Sequence, residues 1–506
     1  MTFDIRSVAL AAAEALVLLS LAACGDGDGA DPAPAATANP VAPAPAASTP
    51  APGPAPAPAP TPTPTPTPAP APTPTPAPAP AAVGLSDACK AFYAAAPNFT
   101  LTTRRAIDPM PALAKPAKGV AYAEPTYKTC MVRTTDHVAD GLPGIAKNAY
   151  SRRQAFNADS TRQLVYSVDG GTWHIYDANT HARLKELSGP AADSDIQWHS
   201  TRPDLIYFVA GYMGSSMQVT ELNVVNGTKR VIGDFGDRLR AMYPGATPTN
   251  TLTNDEGSPS KDGRYWCFMV RDADHPYTDG PSKGSWRPVG VFTWDRDTDT
   301  ILGSMPLTEI PDHVSMSPNG THCVVSSDGP IGTAAFSRDF KKKTPLLISS
   351  QHSDLGIDAN GRDVYIAVNY KIDPAAEDGE VFAMDLETGA KTTLFNVYTE
   401  AQSNLHLSGK AFNKPGWLLF DANADEGDDT GGPRTRWMQR KVMAMPIKAN
   451  APIYSLAFTR VRYIGYDTAP VASVNRDFTR IVFNSNWGGG QDVDVYSIEI
   501  PAGLLK

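Results

Sequence analysis

The sequence predicts an all-β protein built as a seven-bladed β-propeller, and three observations lead to this fold. A hairpin corner recurs along the chain, a second type of turn closes each repeat, and the repeats are about fifty residues long, the size of a propeller blade. A small twisted sheet of four strands cannot bury both of its faces alone. Neighbouring blades in a closed ring cover those faces, so regular repetition favours the ring.

The clearest hairpin corner is Ser-Pro-Asn-Gly at residues 317–320, between two strands rich in β-branched residues. Pro318 sets φ to about −65°, and Asn319 and Gly320 tolerate the positive φ that a tight reversal of the chain requires. Related corners occur at residues 156–161, 258–263, 357–362 and 473–479.

The closing turn follows an apolar strand, as in Ala-Met-Asp-Leu-Glu-Thr-Gly at residues 383–389, where the Asp caps backbone N–H groups of the turn. Corners and closing turns together divide the chain into seven units, near 150–190, 193–235, 256–305, 310–347, 352–396, 405–460 and 470–500. The alternatives are a multi-sheet sandwich or two unrelated β domains, and the regular spacing disfavours both.

The first part of the chain, residues 1–23, contains Arg6 and an apolar run from Val8 to Ala23. The sequence Leu-Ala-Ala-Cys at residues 21–24 resembles the box of a bacterial lipoprotein signal peptide. That resemblance implies that Cys24 receives a diacylglyceryl group and becomes the new N-terminus. The alternative is a membrane-spanning anchor, which is disfavoured because about 16 apolar residues interrupted by Glu14 are few for a bilayer.

The resemblance also implies a location. A lipid on Cys24 would anchor the protein in the cell envelope, with its domain in the periplasm or at the cell surface. Gly25 follows Cys24 in place of the aspartate that retains enteric lipoproteins in the inner membrane, which favours the outer membrane.

Residues 24–84 are predicted to be a disordered linker. From Ala30 to Ala82 the chain is almost entirely Ala, Pro and Thr, a composition that forbids helix and offers nothing large to bury. Such a run adopts extended polyproline II structure and acts as a stiff spacer.

Residues 85–147 form an entry segment, and residues 148–506 form the propeller. The sequence of the entry segment predicts a strand at 128–133. We expect the part around Cys130–Val132 to complete the last blade, built from 480–484 and 493–498, and so to close the ring.

Four cysteines remain when Cys24 is set aside, and export permits disulfides. A bridge between Cys89 and Cys130 would staple the entry segment to the domain. Cys267 and Cys323 lie in apolar strands, where two small buried side chains are the simplest interpretation. The sequence leaves the pairing open.

The formal net charge of −9 argues against nucleic acid as a partner, because phosphates require a basic face. The chain also lacks the Gly-x-Ser-x-Gly, His-Glu-x-x-His, P-loop and dinucleotide-binding motifs. The sequence therefore supports none of the enzyme classes that these motifs mark. We also expect the protein to be a monomer.

Candidate binding residues come from the positions of the histidines. In a propeller, residues at the start of each first strand meet at one mouth of the central channel. Six side chains are expected there: Arg153, Gln154, His199, His313, His352 and His406. His313, His352 and His406 can ligate a divalent metal, and arginine can bind a carboxylate. The alternative is that they are ordinary rim histidines bonded to backbone groups.

Residues 147–501 resemble TolB-like and WD-repeat-like propellers and, more narrowly, oligogalacturonate lyase. The stretch Arg-Gln-Ala-Phe-Asn-Ala-Asp at 153–159 resembles that family's first-blade entry, and His313, seven residues before Gly320, has the spacing of a metal ligand. The resemblance implies a divalent metal, held by histidines and a glutamine, for β-elimination on acidic sugars. At the last blade, however, Val471 occupies the place of a ligand.

The leading hypothesis is accordingly a membrane-anchored binding module for a protein or acidic glycan partner, with no cofactor expected. The alternative is a metal-assisted lyase acting on acidic oligosaccharides, with His313, His352 and His406 as metal ligands and Arg153 as a carboxylate clamp.

Overall fold

In the computed structural model, residues 84–191, 194–209, 216–254, 256–272, 286–370, 373–423 and 434–506 are described. The predicted signal peptide, Cys24 and nearly all of the predicted linker lie outside these residues. Among the described helices, none is both long enough and apolar enough to cross a membrane.

The described chain begins with one helix and two strands that precede the ring: α1 (Asp87–Ala94), β1 (Ala121–Ala123) and β2 (Cys130–Arg133). The predicted seven-bladed propeller follows and is confirmed: the strands form seven antiparallel sheets, six of four strands and one of five.

The first three blades contain these strands: β3 (Ala146–Lys147), β4 (Arg162–Ser167), β5 (Thr172–Asp177) and β6 (Arg183–Glu186); β7 (Asp195–Trp198), β8 (Leu205–Val209), β9 (Gln218–Asn223) and β10 (Lys229–Asp234); and β11 (Asn250–Leu252), β12 (Tyr265–Asp272), β13 (Arg287–Asp295) and β14 (Thr300–Pro306). Helix α2 (Gly236–Met242) leads from blade 2 to blade 3.

Blades 4 to 6 contain these strands: β15 (His313–Met316), β16 (His322–Ser326), β17 (Thr333–Ser337) and β18 (Lys343–Leu347); β19 (Ser353–Ile357), β20 (Asp363–Val368), β21 (Glu380–Asp385) and β22 (Lys391–Asn396); and β23 (Leu405–Ser408), β24 (Trp417–Ala422), β25 (Lys441–Pro446) and β26 (Tyr454–Phe458). Helix α3 (Val397–Glu400) leads into blade 6, and a 3₁₀ turn (Tyr466–Thr468) leads into blade 7.

Blade 7 closes the ring as predicted. Its strands β27 (Ser473–Val474), β28 (Arg480–Ser485) and β29 (Asp494–Glu499) are completed by β2, which pairs with β29, and β1 adds a fifth strand at the edge. Arg133 on β2 reinforces the closure through an ion pair of 2.7 Å with Asp494 on β29.

The hairpin corner at residues 317–320 has the chemistry expected from its sequence. Gly320 has φ +71°, and a Cβ there would lie 2.4 Å from the Tyr265 ring. Ser317 Oγ accepts hydrogen bonds from the backbone N–H groups of Thr321 and His322. The strand reversal therefore depends on a glycine and on a local side-chain acceptor.

The core is divided among the blade interfaces. Seven clusters of buried hydrophobic residues each join two neighbouring blades, and together they run round the whole ring. Each sheet thus covers the faces of its neighbours, which is the physical reason that a chain of small sheets folds into a ring.

Two disulfides tie elements together. One joins Cys89 on α1 to Cys130 on β2 and so fastens the entry segment to the closing strand. The other joins Cys267 on β12 to Cys323 on β16. Both cysteines are buried, as their apolar strands indicate, and the structure adds a pairing that the sequence left open. Packing of blade 3 against blade 4 brings their Cα atoms to 5.6 Å, which is within bonding range.

Candidate functional site

The centre of the ring is filled by a segment of blade 1. Strand β3 ends at Lys147, and the chain pairs with its sheet again at Phe156, which bridges to Gln163. Between these points residues 148–154 leave the sheet and cross the central channel. We call this segment the plug. Its buried members include Arg152, which is only 3% exposed, and Arg153, which is 5% exposed.

The plug contacts all six other blades, mostly on or next to their first strands and in blade 7 also on the second strand, β28. Its hydrogen bonds and close polar contacts are those of Arg153 with Ser194 and Asp195 in blade 2, of Arg152 with Glu256 and Ser258 in blade 3, His313 in blade 4, and Gln351 and Ser353 in blade 5, of Gln154 with Lys410 in blade 6, and of Asn148 with Val471 and Asn484 in blade 7.

Arg152 makes the largest set of these contacts. Its guanidinium pairs with Glu256, donates to the carbonyl oxygens of Ser353 and of Gln351 (3.2 Å), and places Nη1 3.0 Å from both ring nitrogens of His313. Burial is the largest single effect on Arg152 and by itself would lower the pKa, but the charge of Glu256, together with Tyr150, Asp312 and Tyr365, raises it. Arg152 is therefore a permanent cation at the centre of the protein.

The channel has two ends. The entry mouth is the end where the chain enters the first strands, and it carries His313, His352 and His406. There the rings of His352 and His406 stack with centroids 5.6 Å apart. His406 Nδ1 lies 3.1 Å from Asp421 Oδ1, and His352 Nδ1 donates to the Leu405 carbonyl at 3.0 Å.

His352 is held neutral. Burial lowers its pKa to about 4, and the neighbouring His406 acts in the same direction. Since Nδ1 donates to a carbonyl, the neutral ring carries its proton on that nitrogen. In this state His352 contributes to the wall of the mouth as an uncharged ring.

Three potential metal ligands do meet at the entry mouth, although they differ from the predicted set. Glu256, Asp312 and His313 each bring one ligand atom within 4.8 Å of the others. Oxygen and imidazole ligands suit a divalent ion. The Arg152 guanidinium, however, already lies among these atoms, so a metal ion fits only if Arg152 moves.

Asp312 responds to the same positive charges. Its partial burial alone would raise its pKa, but the hydrogen bond and charge of His313, with the charge of Arg152, hold the pKa well below its usual range. In the part of the chain that the structure describes, His352 and His406 belong to no group of three ligands. The predicted set of His313, His352 and His406 is therefore not assembled as one centre.

A second group of three, formed by His137, Asp492 and Asp494, lies at the ring closure. Lys115 and Arg133 bind Asp494 there at 2.8 and 2.7 Å. This group is an ion-pair network that holds the closing strand.

The remaining predicted residues lie elsewhere. Arg153 forms a buried ion pair of 3.1 Å with Asp195, so it is engaged in the wall and is not poised as a carboxylate clamp. Gln154 and His199 lie at the corner mouth, which is the opposite end and is formed by the hairpin corners. The expectation for His199 was wrong because it follows β7, whereas His313 and His406 are the first and second residues of their strands and His352 directly precedes its strand.

Arg152 is the central residue that sequence reasoning did not select. The available signal was the pair Arg152-Arg153 shortly before the corner of the first unit, because none of the other units carries an arginine at that place. Two arginines at that position predict buried partners, but the pattern does not show which arginine reaches across the ring.

Comparisons with known proteins agree with this fold. No protein-family model and no curated protein matches the chain. Solved structures that resemble it include oligogalacturonate lyase in complex with manganese (14% identity, TM-score 0.53, covering 77% of this chain and 100% of that one) and oligogalacturonate lyase from Vibrio parahaemolyticus (12% identity, TM-score 0.52, covering 76% and 99%). At this identity the similarity shows the shared propeller fold.

Replacing Arg152 with Met should strongly destabilise the protein. The change leaves Glu256 without its cation and removes bonds to blades 4 and 5, and we expect a loss of about 3 kcal/mol in the free energy of unfolding, measured by urea denaturation. In R152M/E256Q no unpaired carboxylate remains, so a double-mutant cycle should give a coupling of about 1–3 kcal/mol. Arg240→Met, in an exposed ion pair with Asp237, is the control. If R152M lowers the free energy of unfolding by no more than R240M does, the proposed role of the plug is contradicted.

Acid should destabilise the fold partly through His352. Its pKa is about 4 when folded and about 6.5 when unfolded, so between these values the unfolded chain binds more protons. The contribution of His352 is therefore complete above about pH 6.5 and is lost as the pH falls towards 4. Between pH 7 and pH 4.5, the free energy of unfolding measured by urea denaturation should fall by about 2 kcal/mol less in His352→Gln than in the wild type. Equal falls in both proteins would show that His352 is not buried as a neutral ring.

Proposed function

We propose that this protein is a binding module of the cell envelope, anchored through a lipid on Cys24, held away from the membrane by the Pro-rich linker, and binding a glycan or protein partner at its entry mouth. The observation that carries the proposal is the plug. Side chains that would perform chemistry at the mouth already bind one another: Arg152 pairs with Glu256, and His406 with Asp421.

Val471 supports binding over catalysis in the same way. It stands where the resemblance places a metal ligand, and its side chain is buried. Its carbonyl accepts a hydrogen bond of 2.9 Å from Asn148 of the plug. A residue that packs and anchors the plug has replaced one that would hold a metal.

The rim of the entry mouth suits a glycan. Tyr466 and Tyr398 are 63% and 40% exposed on the connections into blades 7 and 6. Asp312, 43% exposed, adds a carboxylate. Aromatic faces pack against the apolar faces of sugar rings, and carboxylates accept hydrogen bonds from hydroxyl groups. These are the two kinds of contact by which a saccharide is recognised.

Substituting the two tyrosines tests this function. In a glycan array and in pull-downs with purified protein, the wild type should retain a partner, and Y398A/Y466A should bind it at least about tenfold more weakly, since exposed aromatic anchors dominate such contacts. Val231→Ala, an exposed residue on an outer strand, is the control.

Cys24→Ser should release the protein from the membrane fraction.

Failure to capture any glycan or protein, or capture that Y398A/Y466A leaves unchanged, would contradict binding at the entry mouth. If the wild type captures a protein and no glycan, and Y398A/Y466A weakens that capture, the entry mouth is still a binding site but its partner is a protein.

A second candidate function is a metal-assisted lyase acting on acidic oligosaccharides. One observation favours it: Glu256, Asp312 and His313 converge beside a cationic side chain. A divalent ion there would stabilise negative charge that develops on a sugar carboxylate.

Manganese binding separates the two candidates. If Arg152 fills the ligand group, Arg152→Ser should raise the affinity for Mn²⁺ at least about tenfold, because the guanidinium no longer competes for the three ligands. Calorimetry on wild type and R152S, with thermal unfolding to verify folding, measures this. Stoichiometric Mn²⁺ in the wild type, together with unsaturated products absorbing in the ultraviolet from uronic-acid oligomers, would establish the lyase in place of the module.

A further inference from the structure

The corner mouth contains a chamber on the other side of the plug from the entry mouth. Its cavity volume is about 30 Å³, it is partly open to solvent, and it is lined by the corners of blades 1, 2, 3, 6 and 7 and by Gln154 of the plug. Nothing in the proposed glycan site uses this space.

The chamber is positively charged. Its described lining includes Lys261, Lys410 and Arg476 and contains no carboxylate side chain. The charge of Lys410 is balanced by Asp354, which lies 2.8 Å from its Nζ. Both side chains are only 3% exposed. Lys261 and Arg476 therefore determine the charge of the chamber.

Both of these cations bind neutral groups. Lys261 Nζ donates to Asn319 Oδ1 at 2.6 Å, and Arg476 Nη2 donates to the Lys261 carbonyl at 2.7 Å. Within the described residues neither has a carboxylate oxygen within 4.0 Å. Burial lowers the pKa of Arg476, and the more distant charges of Asp477 and Asp262 only partly oppose this. Positive charge in a confined site without an anion is costly, and a bound anion would remove the cost.

Arg476 is also oriented in advance. Its guanidinium lies 5.2 Å from the centroid of the Phe412 ring, while one N–H holds the Lys261 carbonyl on the far side of the mouth. A guanidinium has five N–H donors, so several stay available on a group whose position is already fixed.

His199 adds a neutral donor to the same wall. Its Nδ1 accepts hydrogen bonds from the backbone N–H groups of Thr201 and Arg202 at 3.1 and 3.2 Å. The proton of the neutral ring is therefore on Nε2. Burial lowers the pKa of His199 to about 4, so the ring stays neutral at physiological pH.

From this lining we infer that the corner mouth is a second binding site, which takes a small oxyanion or the oxyanion group of a larger ligand, held between Arg476 and Lys261. Phosphate, sulfate and carboxylate groups share the required chemistry, a negative charge with several acceptor oxygens. The site is separate from the proposed glycan site and does not depend on it.

Calorimetric titration tests the inference directly. Sodium phosphate, sodium sulfate and sodium acetate are each titrated into the full chain at constant ionic strength, set with sodium chloride. At least one should bind saturably at one site with millimolar affinity or better, and R476Q and K261Q should each weaken that binding at least about tenfold, since each removes a charge-assisted hydrogen bond. A preference for acetate would assign a carboxylate ligand, and a preference for phosphate or sulfate a tetrahedral anion.

The controls distinguish this site from general attraction to positive charge. Lys341→Gln, at a lysine that is 84% exposed, and Tyr466→Ala at the other mouth should both bind the anion as the wild type does. Thermal unfolding checks that R476Q and K261Q are folded, and if R476Q does not fold, K261Q decides the test. Absence of saturable binding by all three anions, or undiminished binding by folded K261Q, would overturn the inference.

Discussion

The buried charge of Arg152 is the constraint on which the centre of this protein depends. A guanidinium removed from water requires a carboxylate and hydrogen-bond acceptors on most of its sides. Blades 3, 4 and 5 supply them through Glu256, His313 and the carbonyl groups of Gln351 and Ser353. Because these groups belong to different blades, the ring can satisfy the charge only when its blades are correctly assembled.

The plug also determines what the two mouths can do. It separates an entry mouth, where exposed acidic and aromatic side chains surround a neutralised cation, from a corner mouth whose lining is cationic. The guanidinium lies among three potential metal ligands, so the arrangement is complete without a metal ion. The protein shares its fold with an oligogalacturonate lyase solved in complex with manganese, and in this protein Arg152 lies where the three potential ligands converge.

Sequence reasoning predicted the parts of this structure that arise from local chemistry. The corner around Gly320 and the Asp-capped turns are encoded within a few residues, and their regular spacing was enough for seven blades. The pairing of β2 with β29 was predictable because a ring must close. Cys267 and Cys323 lie 56 residues apart, and their pairing depends on how two blades pack, which no local pattern reports.

The arrangement of the functional centre was harder to predict from the sequence for the same reason. His313, His352 and His406 lie near the start of their first strands, and this position is a local property that the sequence shows. Arg152 reaches partners between 104 and 201 residues away in the chain, and its direction depends on a segment that leaves its sheet. Neither the composition nor the spacing of motifs predicts side-chain contacts between residues so far apart in the chain.

Hydrogen–deuterium exchange tests the plug most directly. The backbone N–H of Asn148 donates to Asn484 Oδ1 at 2.7 Å, and that of Arg153 donates to the Tyr150 carbonyl at 3.2 Å. If the plug fills the channel, peptides covering residues 148–156 should exchange as slowly as those covering the first strands β15 and β19, over hours under native conditions. Exchange within seconds, as in an exposed loop, would show that the channel is open and that Arg152 does not organise the ring.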